Sequence, residues 1–130
     1  MVESLRVFYG SQMGRMRKNI NWPRIDKETA VIITAAEHDH SVFDHIDTDT
    51  VTAPPGAPVS GKTEVELWKE GRPNLGAANV YVTNIGPHGD GREAGGVEFY
   101  LHVDWKSPLN IVVTITALGK VDEYIHLGQG

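Results

Sequence analysis

The chain has 130 residues, no cysteine and a formal net charge of −5, with 40% hydrophobic and 22% charged side chains. That length buries a core without covalent staples, and the missing thiol excludes a disulfide framework, a cysteine nucleophile and a Cys-ligated zinc. The acidic balance argues against nucleic acid as the main ligand, because phosphate neutralisation needs a broad basic face.

The N-terminus carries no basic start followed by a long apolar stretch. The expectation is a cytoplasmic protein, or one exported without a recognisable signal peptide. No apolar run is long enough to span a bilayer. Charge is unevenly spread: the first 27 residues hold six basic and two acidic side chains, while the rest hold six basic and fifteen acidic ones.

Leu5–Tyr9 predicts the first strand. Arg15–Trp22 has no clear period and reads as helical or irregular; its basic run Arg15-Met16-Arg17-Lys18 reads as a solvated segment. Thr29–Ala36 and Thr48–Ala53 are strand candidates, followed by the breaker Pro54-Pro55-Gly56-Ala57-Pro58. Thr63–Trp68 alternates apolar and polar residues and predicts a strand with Val65 and Leu67 facing inward. Ala78–Ile85 repeats the pattern with Val80 and Val82 inside. Val97–Trp105 alternates without a break, and Ile111–Leu118 is rich in β-branched residues. The short link Lys106–Asn110, with Pro108, predicts a hairpin between these two. Tyr124–Leu127 suggests a last short strand.

Seven or eight short strands at this spacing predict an all-β chain. The expected architecture is a single antiparallel β-sandwich domain over residues 1–130, jelly-roll-like, with a squat β-barrel as the alternative.

Three constellations carry chemistry. The first lies between Glu37 and Asp49, which hold three of the six histidines and five of the seventeen carboxylates. If the Thr29–Ala36 strand continues, His38 and His40 project from one face, with Asp44 and His45 as further metal ligands after a turn. The string His38-Asp39-His40-Ser41-Val42-Phe43-Asp44 partly resembles the first metal motif of cupins, which are small β-barrels. It departs from that motif at Asp44, where the family has Glu, and in lacking the following glycine. The second motif is only half present, as Pro87-His88-Gly89. The resemblance implies a small metal-dependent enzyme as an alternative, with a divalent ion at His38, His40, Asp44 and His45. The bland reading is a polar loop with its histidines hydrated.

The second constellation is a sheet face opposite the core, expected to carry Glu64, Glu66 and Trp68, then Asn79, Tyr81 and Thr83, then Glu98, Tyr100, His102 and Asp104. Aromatic rings among polar groups suit a pyranose, whose apolar face stacks on a ring while hydroxyls meet fixed donors and acceptors. They also suit a protein contact. The third is the glycine-rich loop Gly86–Gly96 with His88 and Asp90.

No nucleophile elbow or paired acid–base motif is present. The sequence therefore predicts a non-enzymatic, lectin-like binding module without a cofactor. It would recognise carbohydrate or a protein surface through Trp68, Tyr81, His88, Asp90, Tyr100, His102 and Asp104, with assembly into a homo-oligomer as a further expectation. A structural subunit of a larger assembly is the third reading.

Overall fold

A computed structural model describes residues 2–39 and 63–128. The expected strand at Thr48–Ala53 and the expected ligands His40, Asp44 and His45 lie outside the described residues.

The fold is an all-β, antiparallel sandwich of two sheets. Strands β1 (Glu3–Gln12), β7 (Leu109–Lys120), β3 (Thr29–Asp39) and β4 (Arg72–Asn74) form one sheet in that order. Strands β2 (Gly14–Asn21), β6 (Gly96–Asp104) and β5 (Asn79–His88) form the other. Among the described residues one short helix, α1 (Glu64–Glu70), precedes β4.

The core follows from alternation. Val97, Phe99, Leu101 and Val103 of β6 face Ile111, Val113, Ile115 and Ala117 of β7, and all eight are buried. Val80 and Val82 pack against this core as expected, as do Val7, Tyr9, Met16, Ile20, Val31 and Ala35. Ile25, from the link between β2 and β3, plugs the sandwich; its N–H donates to the Trp22 carbonyl at 3.0 Å.

The topology nests one ribbon inside another. Strand β1 pairs with β7, and β2 with β6, both antiparallel. Each ribbon strand continues into the opposite sheet: β1 into β2 past Met13, and β6 into β7 past Trp105–Pro108. Gln12 pairs with Leu109 and Gly14 with Val103, so the two corners lie opposite one another. This doubled ribbon, bent over two sheets, is the jelly-roll-like element of the fold. The bend needs unusual backbone: Ser11 and Gly14 adopt φ of 51° and 76°, in the left-handed region that favours glycine.

Four sequence expectations are corrected. The link Lys106–Asn110 is a sheet-to-sheet corner, not a hairpin, because β6 and β7 belong to different sheets. Arg15–Trp22 is strand β2 over most of its length, with Met16 and Ile20 inward. Tyr124–Leu127 is no strand; residues 121–128 have no regular secondary structure.

Thr63–Trp68, the fourth, is a capped helix. The Thr63 hydroxyl accepts from the Glu66 N–H at 3.2 Å, with Glu64 and Glu66 in the first turn and Lys69 in the last, as the helix dipole favours. Helical geometry buries the adjacent pair Leu67 and Trp68 and leaves Val65 exposed. The helix lies on the outer side of the β1–β7–β3–β4 sheet, where Trp68 meets Phe8 and His38 with centroids 5.4 and 5.2 Å apart. At its end the chain passes so close to β3 that a Cβ on Gly71 would collide with the Asp39 carbonyl and the His38 ring.

Candidate functional site

The outer face of the three-stranded sheet is set by strand alternation. With Met16, Ile20, Val97, Phe99, Leu101, Val103, Val80 and Val82 inside, their neighbours must point out. Pairing then lays Arg15, His102 and Tyr81 in one row across the sheet, and Arg17, Tyr100 and Thr83 in the next. Asp104, exposed and paired with Asn79, lies one step beyond the first row.

These side chains hold one another. The Tyr81 and His102 rings stack nearly parallel, 4° apart in plane with centroids at 4.4 Å. His102 Nε2 and Thr83 Oγ1 share a 2.7 Å hydrogen bond, fixing the imidazole under the phenol. The Tyr100 ring tilts against His102 at 6.5 Å and carries the Arg15 guanidinium 4.0 Å above its centroid. Arg17 donates to Glu98 Oε1 at 2.7 Å, and this bond raises the Arg17 pKa still further. Among the described residues Tyr81 lies on the edge strand β5, with a strand neighbour on one side only, and 42% of its surface is open.

The face therefore differs from the aromatic and acidic one expected from sequence. Glu64, Glu66 and Trp68 are absent from it, because their segment is helix α1 on the other sheet. In their place β2 contributes Arg15 and Arg17, which the sequence reading treated as a solvated run. Lys18, the residue after Arg17, turns inward: its ammonium sits 4.5 Å from the Tyr9 ring centroid, and desolvation lowers its pKa. Burial likewise raises the pKa of Tyr9.

His88 and Asp90 do different work. His88 ends β5 on the same outer face but opposite Gly96, at the far end from Tyr81. Both its nitrogens are engaged, Nε2 with Asn19 Oδ1 at 2.8 Å and Nδ1 with the Ala94 carbonyl at 2.9 Å. Asp90 Oδ1 accepts from the backbone N–H groups of Arg92 and Glu93 at 3.1 and 3.3 Å, which lowers its pKa. These contacts shape the loop that closes the end of the sandwich.

The expected metal site has one described member. His38 lies at the end of β3, 5% exposed, in edge contact with Phe8 at 5.2 Å and beside Trp68. Among the described residues no cluster of three or more histidine, aspartate or glutamate side chains is arranged to hold a metal ion. Also among them, no helix is long and apolar enough to cross a membrane. Comparison with protein-family models, with curated proteins and with solved structures returns no match to this chain.

Proposed function

We propose that the chain is a carbohydrate-binding module that works through the outer face of β2, β6 and β5. The observation that carries this reading is the half-open Tyr81 ring, backed by His102, which is itself fixed by Thr83. A pyranose presents an apolar patch of C–H groups, and a ring already locked in place receives it with little loss of side-chain entropy. Asp104 and Thr83 neighbour that ring in the sheet, and the Arg15 guanidinium lies over Tyr100 on the same face, as groups able to meet hydroxyls. Tyr100 is the less available ring, since Arg15 covers one of its faces. Arg17 is already paired with Glu98, so it is Arg15 that favours sugars bearing carboxylate or sulfate over neutral ones.

A glycan array probed with the full chain tests the proposal. It predicts retention on acidic glycans that weakens with added salt. No retention on any glycan, acidic or neutral, would refute it.

A further inference from the structure

We propose that the exposed segment after β7 docks, as an added strand, into the groove between β1 and α1 of a second copy of this chain, linking copies head to tail. Beyond Val121, whose N–H donates to the Glu28 carbonyl at 2.9 Å, residues 122–128 have no regular structure. They expose Tyr124, Ile125 and Leu127 at 70%, 84% and 85%, three large apolar side chains on one short stretch. Isolated exposed apolar residues are ordinary, but such a cluster on a segment with no regular structure of its own suits a strand that forms on docking. Immediately before it stand two acids, Asp122 and Glu123.

The groove offers the complement. Two adjoining cavities of about 440 and 270 Å³ share Arg6, Phe8, Val65 and Trp68. Their floor is apolar, and Arg6 and Lys69 supply positive charge at the rim, against Glu64. Three successive residues, Arg6, Val7 and Phe8, line the larger cavity. Side chains alternate along a strand, so such a lining brings the backbone edge of β1 into the groove as well. That edge has no strand partner among the described residues, since β1 pairs only with β7. An incoming strand would gain ladder hydrogen bonds from β1, apolar cover from Phe8, Val65 and Trp68, and charge pairing from Arg6 and Lys69.

Direction decides which copy supplies it. Strand β7 runs antiparallel to β1, from Leu109 opposite Gln12 to Ala117 opposite Glu3. The segment therefore leaves past the Glu3 end of β1, heading away from Phe8 and Gly10. Its own groove lies behind it and requires a reversal, whereas a second copy's groove is met without one. The contact uses different patches on the two partners, so it propagates into a ring or a filament. Every added copy brings another Tyr81 face, which raises avidity for a repeating glycan.

Sedimentation of the full chain together with two paired variants tests the proposal. Ile125→Asp/Leu127→Asp spoils the segment and keeps the groove; Arg6→Glu/Lys69→Glu spoils the groove and keeps the segment. The wild type is expected to assemble beyond the monomer at micromolar concentration, and each variant alone to sediment as a monomer. An equimolar mixture of the two variants should recover dimers, because one sound segment meets one sound groove. A monomeric wild type overturns the proposal, as does assembly that persists in Ile125→Asp/Leu127→Asp. The residues changed in that variant are almost wholly exposed, so its fold is not at stake. A mixture that stays monomeric also overturns it.

Discussion

Replacing Trp68 by alanine separates a structural tryptophan from a ligand-binding one. The indole is 9% exposed and sits against Phe8 and His38. A buried tryptophan removes on the order of 200 Å² from water, which at ~25 cal/mol per Å² sets an upper limit near 5 kcal/mol. Large-to-small changes at such sites cost about 3–5 kcal/mol when the cavity cannot collapse. Helix α1 is only seven residues long and has little stability of its own. It can come away from the sheet, so the lower end of that range applies. We expect Trp68→Ala to lose about 3 kcal/mol in urea unfolding, lower Tm by roughly 10 °C, and erase amide protection over residues 64–70. Binding by the opposite sheet should be unchanged in the folded variant. A loss below about 1 kcal/mol, as at ordinary surface positions, would show that the indole does not anchor α1 and would refute the assignment.

Two further outcomes follow from particular backbone and charge arrangements. Gly14→Ala meets no neighbour within 4 Å, yet its φ of 76° taxes any Cβ, so urea unfolding should show a loss of about 1–2 kcal/mol from backbone strain alone. Asp90 has its folded pKa below the unfolded value of 3.8 because Arg92 and Glu93 N–H groups bind the ionised form. Its contribution is thus complete above pH 3.8 and fades as pH falls through the folded value. Asp90→Asn should flatten that part of the acid-unfolding curve, and an unaltered curve would contradict it.

Much of the scaffold is legible because it obeys period two. Val97, Phe99, Leu101 and Val103 alternate so regularly that β6 and its buried face follow directly, and Tyr81, Tyr100 and His102 follow as the outward residues. Strand β2 hides because Lys18 occupies an inward position, where its ammonium sits over the Tyr9 ring. Arg15 and Arg17 were consequently missed as partners of the aromatic face. They stand beside Tyr100 and His102 only through long-range pairing, which no local pattern encodes. Helix α1 imitates a strand over Thr63–Trp68, although Thr63 followed by Glu66 is a capping-box signature pointing the other way. The turn after Asp104 looks like a hairpin because Pro108 marks a break; a break says nothing about which sheet the next strand joins. The histidine-rich stretch that dominates the sequence contributes His38 to an aromatic contact under α1, apart from the Tyr81 face.

The central claim is that Tyr81, backed by His102, receives a sugar ring. Calorimetric titration of the wild type and Tyr81→Ala with an acidic oligosaccharide tests it most directly. The account predicts that alanine weakens binding at least tenfold, equivalent to about 1.4 kcal/mol or more, while the far-UV spectrum stays unchanged. Equal affinity in wild type and Tyr81→Ala would contradict it.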